Sequence, residues 1–337
     1  MATTSENQRT AAADAKPDVR RLHPAVGPRG PDPRTPERSS SRTQNPAALF
    51  DRLYDAATSL GSTLRDWLAP GLVAETEREV RERVERTPMD LNGYGYDPWG
   101  FQTESAIRGL VVSTLLYRHY FRVETRGIEN VPAGRVLLIA NHAGQIAIDA
   151  VMIGTATLLE AEPPRIVRGM GEYWLPRLPF LNVAMVRAGS VVGTPKNCVD
   201  LLASGQAVIA FPEGVRGMNK AFRQRYSLQE FGLGFLRLAL ETDTPIVPIA
   251  VVGSEEQAPS LGNLRSLAHF LGMPAFPLLL TPVPLPSRYS IEFGPAMRFE
   301  GNPHDEDRVV GAMVEQVKGR IRGMIEDGLR RRTGIFW

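Results

Sequence analysis

The sequence predicts an α/β fold, a mostly parallel central sheet flanked by helices, with an N-terminal helical extension. Three observations carry this. From residue 121, short β-branched and leucine-rich runs alternate with segments of helical periodicity. The stretches that join them are short, as connections in such sheets usually are. The runs themselves, VLLIA at 136–140 and IVPIAVVG at 246–253 among them, are apolar along their length. That fits strands covered on both faces.

Composition bounds the function. The chain has 337 residues, 43% of them hydrophobic, enough for one large core or two. Its 39 Lys+Arg against 37 Asp+Glu leave a formal charge of +2, so it is not a general polyanion binder and nucleic acid is not an expected partner. The single cysteine, Cys198, cannot form an internal disulfide or supply a cysteine-rich zinc site, and no metal is expected. No run approaches the ~20 apolar residues of a spanning helix, and no signal-peptide h-region is present. The expectation is a cytoplasmic protein associated peripherally with a membrane.

Three regions follow along the chain. Residues 1–46 carry seven prolines, many Ser and Thr and an excess of arginine; with little to bury, they read as a disordered tail. Residues 47–120 read as helical: Leu49, Phe50, Leu53, Tyr54, Ala57 and Leu60 recur at helical spacing, PGLVAETEREVRERVER gives a second helix, and SAIRGLVVSTLLYRHYF gives a third. The loop NGYGYDPWGFQ (92–102) lacks the third glycine and the preceding strand of a dinucleotide site.

Residues 121–337 form the expected α/β domain. Its strands are VLLIA, RIVRG, AMVRAG, AVIAF and IVPIAVVG, with helices over 146–159, 195–204 and 227–241. RYSIEFGPAM reads as an edge strand. A last helix from Asp305 puts Val309, Val310, Met313, Val314, Val317, Ile321, Met324, Ile325 and Leu329 on one face, before RRRTGIFW. HFLGMPAFPLLLTPVPLP (269–286) reads as an apolar lip against lipid or as a capping loop.

Open α/β sheets bind ligands at the carboxyl ends of their strands. There the chain places Asn141-His142 after VLLIA and FPEGVRG (211–217) after AVIA. Asn-His, a downstream Asp, an Arg after a short strand, Phe-Pro-Glu-Gly with an Arg two residues on, and a Val-Pro strand, in this order, resemble the glycerolipid acyltransferase family. That family includes the lysophosphatidate and glycerol-3-phosphate acyltransferases. The resemblance covers roughly residues 121–300.

What the resemblance implies also makes chemical sense. An alcohol attacking an acyl thioester must lose its proton, and neutral histidine suits that task. His142 is the implied base and Asp149 the residue that orients it. Asn141, Arg187, Phe211, Pro212, Glu213, Gly214 and Arg216 are the implied substrate-binding residues, with Arg187 and Arg216 offered to an acceptor phosphate. Arg168 is a secondary candidate, and Lys220 and Arg223 read as rim charges. No cofactor is implied beyond the acyl-CoA or acyl-carrier-protein co-substrate; the acceptor would be a lysophospholipid or glycerol phosphate, met at a membrane surface.

Two departures stand out. Six residues separate His142 from Asp149 where the family has four, and Val215 replaces a small hydroxyl residue. Either a longer AGQ loop returns Asp149 to His142, with the helix starting near Ile146, or the dyad is broken; the longer loop is the expectation. A neutral glyceride or long-chain alcohol acceptor, or a catalytically silent lipid-binding relative, are the alternatives.

Overall fold

A computed structural model of the protein describes residues 71–142, 147–171, 173, 181–218, 220, 222–264, 277–281 and 283–336. The expected tail (1–46), the first expected helix (47–68) and residues 269–276 and 282 of the apolar segment 269–286 lie outside the described residues.

Seven strands form the main sheet: β1 (Glu124–Arg126), β2 (Val136–Ala140), β3 (Val167–Gly171), β4 (Val191–Val192), β5 (Ala207–Ala210), β6 (Ile246–Val252) and β9 (Ser290–Phe293). Their order is β1-β9-β6-β2-β5-β3-β4. Strands β6, β2, β5, β3 and β4 pair in parallel, while β9 runs antiparallel to β6 and carries β1 alongside it. RYSIEFGPAM is therefore an interior strand, since β1 takes the edge beyond it. A separate hairpin-like pair joins β7 (Ser260–Asn263) to β8 (Pro277–Leu279) antiparallel, giving part of the apolar segment a sheet partner.

The helices are α1 (Leu72–Glu85), α2 (Thr103–Leu115), α3 (Ile148–Glu160), α4 (Leu181–Arg187), α5 (Pro195–Ala203), α6 (Val215–Met218), α7 (Gly234–Glu241), α8 (Ser254–Gln257) and α9 (Asp307–Arg331). No described helix is long and apolar enough to cross a membrane. AMVRAG was expected as a strand but ends α4; the strand follows it, at Val191–Val192.

Strand alternation splits β2 between two cores. Leu137 and Ile139 join Val310, Val314, Val317, Ile321 and Met324 of α9 on one face. Val136, Leu138 and Ala140 join Met152, Ile153 and Ala156 of α3 on the other. Burial on both sides explains why the run has no polar position. On α9, Val309 and Leu329 stay 40% and 36% exposed, so the buried stripe is narrower than the sequence face. A third cluster joins Val80, Val84 and Ile107 of α1 and α2 to Leu158 and Ile166, which seats these helices on the α/β unit.

Candidate active site

Parallel register brings two strand ends level. Ile139 of β2 lies beside Ala210 of β5, so the residues three further on, His142 and Glu213, emerge side by side.

His142 is 7% exposed, and its Nδ1 lies 2.8 Å from Asp149 Oδ2. The long spacing closes because α3 begins at Ile148, two residues later than expected, with Ala147 as its N-cap. Asp149 thus sits in the first turn, where helical side chains lean back toward the N-terminus and a carboxylate complements the helix dipole. Asp149 is wholly buried, and its Oδ1 accepts the Ala150 N–H at 2.8 Å. The imidazole stacks on Phe211, with centroids 4.0 Å apart and planes 24° from parallel. Among the described residues, the other ring nitrogen, Nε2, has no hydrogen-bond partner.

The Phe-Pro-Glu-Gly turn works inward. Gly214, at φ 55, donates its N–H to the Phe211 carbonyl at 2.9 Å; this left-handed conformation is one that glycine adopts readily. Glu213 is 1% exposed. Its Oε1 accepts the backbone N–H of His142 at 3.0 Å, and its Oε2 accepts the Gln229 N–H at 2.7 Å. Lys220 Nζ lies 3.6 Å from Glu213 Oε2 and 3.2 Å from Glu255 Oε1, and it donates to the Ser227 carbonyl at 3.2 Å. Glu213 therefore anchors the histidine's backbone, and Lys220 is a buried partner of that anchor where a rim charge was expected. Burial raises the Glu255 carboxyl above its ordinary range, with the Lys220 charge opposing the shift. Gly217 is where α6 meets this site: a Cβ there would lie 2.8 Å from Glu213 Cβ and 2.9 Å from the His142 carbonyl oxygen.

The other predicted residues divide. Both ends of the Asn141 amide are occupied by Val251 of β6, Nδ2 donating to its carbonyl at 3.0 Å and Oδ1 accepting its N–H at 2.8 Å. Asn141 thus ties β2 to β6. Arg216 points outward, its side chain 61% exposed, and meets Glu230 at 3.1 Å. Arg187 is the last residue of α4 and lines a cavity of about 390 Å³ with Tyr96, Met185, Val186, Val191 and Val192. This mainly apolar cavity reaches the ends of β3 and β4, on the same sheet edge as His142.

Arg168, the secondary candidate, is fully buried in β3 and paired with Asp97. Asp97 Oδ1 also accepts the N–H groups of Trp99 and Phe101, at 2.9 and 2.8 Å. The aromatic loop is thereby pinned to the sheet. Sequence reasoning missed this pair, as it missed the buried carboxylates Glu255 and Glu256, because nothing local links residues 71 positions apart. Among the described residues, no group of three His, Cys, Asp or Glu is placed to hold a metal ion.

Comparison with known proteins gives the family. A family model described as Acyltransferase matches residues 122–252, the span from β1 through β6 that carries every residue of the His142 and Glu213 cluster except Glu255. An uncharacterized protein of Mycobacterium tuberculosis is 35% identical over 282 residues, 79% of this chain and 76% of that one. The mouse DGAT1/2-independent enzyme synthesizing storage lipids is 23% identical over 205 residues, 60% of this chain and 59% of that one. The chloroplastic 1-acyl-sn-glycerol-3-phosphate acyltransferase LPAT1 of Arabidopsis thaliana is 23% identical over 184 residues, 52% of this chain and 50% of that one. The chain belongs to the glycerolipid acyltransferase family. It is an acyltransferase.

Proposed function

We propose that the protein moves a fatty acyl group from a CoA or carrier-protein thioester to a hydroxyl of a lysophospholipid or glycerol phosphate, with His142 as general base. The observation that carries this is the 2.8 Å contact between His142 Nδ1 and Asp149 Oδ2. A buried carboxylate accepting Nδ1–H leaves Nε2 unprotonated, ready to take the acceptor's hydroxyl proton as its oxygen attacks the thioester carbonyl. The carbon–sulfur bond then breaks, and the thiolate leaves with that proton from the imidazolium. Phe211 holds the ring plane and Glu213 the backbone beneath it, so the base is pre-oriented. The apolar cavity beside Arg187 suits the acyl chain. At the surface, the Arg216–Glu230 pair is of the weak, exposed kind that a phosphate can displace.

A second reading, a neutral glyceride or long-chain alcohol acceptor, draws on the same pair. Arg216 is already partnered, and the mouse relative is named for storage-lipid synthesis.

An acceptor screen with labelled acyl thioesters separates the two. The proposal expects turnover on lysophosphatidate or glycerol 3-phosphate, with Arg216→Ala raising the acceptor KM by the loss of one charge-assisted contact, about 1.5 to 3 kcal/mol. Turnover confined to monoacylglycerol or a long-chain alcohol, with KM indifferent to Arg216, establishes the second reading.

A further inference from the structure

We propose that a cleft between the loop after α6 and the end of α9 binds the phosphate of an anionic phospholipid headgroup, docking the protein on a charged bilayer surface. The cleft has a volume of about 560 Å³, and three arginines line it, Arg223, Arg225 and Arg332, against one carboxylate, Glu256.

That carboxylate is already satisfied. Arg332 Nη1 donates to Glu256 Oε1 at 2.8 Å, and the Tyr226 hydroxyl donates to Oε2 at 2.5 Å. The same hydroxyl accepts the Gly253 N–H at 2.9 Å. Arg332 matches the single negative charge, yet its Nη2 is buried with no hydrogen-bond partner among the described residues. Arg223 and Arg225 are exposed, and neither pairs with a carboxylate among the described residues. Arg225 instead lies over the Phe222 ring at 4.9 Å.

The rim of the cleft is apolar: Phe222, Leu329 and Ile335 are 37%, 36% and 42% exposed. Surplus guanidinium donors inside an apolar rim match the interface of an anionic bilayer, where phosphate meets the arginines and the rim meets the lipid below the headgroups. The cleft is also wired to the reacting end of the sheet. The Tyr226 N–H donates to Glu255 Oε1 at 2.8 Å, and Glu255 shares Lys220 with Glu213. Docking there would place the loop that supports His142 at the surface from which a lipid acceptor arrives. The inference rests on the proposed function, whose acylated product is membrane-borne with either acceptor.

The test is co-sedimentation of the full chain with vesicles of phosphatidylcholine alone and of phosphatidylcholine with phosphatidylglycerol. It compares the protein with Arg223→Glu/Arg225→Glu, and turnover on detergent-dispersed acceptor is measured beside it. The expected result is preference for the anionic vesicles that fades with salt and weakens by more than about tenfold in the variant, with detergent turnover retained. Equal vesicle binding by both forms overturns the proposal. So does a variant that binds vesicles normally but shows a raised KM for acyl-CoA, since the cleft would then hold the donor's phosphates. If charge reversal disturbs the fold, as judged by circular dichroism, Arg223→Gln/Arg225→Gln makes the same comparison at smaller amplitude. Charge-dependent vesicle binding without turnover by any form would overturn the acyl-transfer reading alone.

Discussion

The ends of β2 and β5 lie side by side and differ in what they do with a charged side chain. At the end of β2, His142 keeps one ring nitrogen on a buried carboxylate and the other without a partner among the described residues. At the end of β5, Glu213 has both oxygens occupied by backbone N–H groups, with a lysine close by. One end is left with chemistry to do and the other is closed. Under the proposed function, a conspicuous motif residue then serves the reaction by fixing the backbone of the general base.

This contrast breaks most sharply at the histidine. His142→Ala is expected to lower kcat by on the order of 10² to 10⁴, while circular dichroism still reports the parent fold; it also removes the ring stacked on Phe211 and the partner of the buried Asp149 carboxylate, so unfolding free energy should fall by about 1 to 3 kcal/mol. A folded variant with near-normal kcat would move the chemistry elsewhere. Asp149→Asn is expected to lower kcat by roughly 10² or more, with acceptor KM little changed, since an amide neither enforces the tautomer nor stabilises imidazolium as well.

Glu213→Gln sharpens the comparison from the closed side. The His142 and Gln229 N–H groups compete for one remaining oxygen, and Lys220 loses a counter-charge. Denaturant unfolding is expected to show a loss of about 1 to 3 kcal/mol, with kcat reduced less than in the histidine variant. A loss of turnover equal to that of His142→Ala, with stability unchanged, would make Glu213 a participant in the chemistry.

Much of this was legible in the sequence. The apolar runs gave the strands, and the order of the motifs brought His142, Asp149, Phe211 and Glu213 to one place, because parallel register aligns strand ends. The direction of each side chain was not legible. Asn141 faces β6 because its amide can replace a strand neighbour for Val251, which depends on a residue 110 positions away. The same holds for Lys220, whose two glutamates come from the turn after β5 and from α8. AMVRAG was misread because its apolar residues fit either a short strand or the end of a helix, an ambiguity that periodicity alone does not resolve.

The lysine–glutamate cluster also yields a pH dependence. Burial raises Glu255, so the folded state binds its proton more tightly than the unfolded chain does. Stability contributed by this group is full below the ordinary carboxylate range and falls as pH rises through the raised value. Melting temperature measured across that window is expected to decline more steeply in the parent than in Glu255→Gln. Identical slopes would mean that the Lys220 charge offsets the effect of burial on Glu255.

Arg216 is the smallest expected effect and the cleanest contrast with Glu213, three residues before it in the same motif. Its side chain and that of Glu230 are 61% and 81% exposed, so water screens the pair and its two ends are costly to order. Arg216→Ala is expected to change unfolding free energy by no more than about 0.5 kcal/mol, and any effect of the substitution should appear in the acceptor KM. A stability loss approaching that of Glu213→Gln would show that the outward arginine, like the inward glutamate, holds the turn together. The division of this motif into an anchoring half and an acceptor-facing half would then fail.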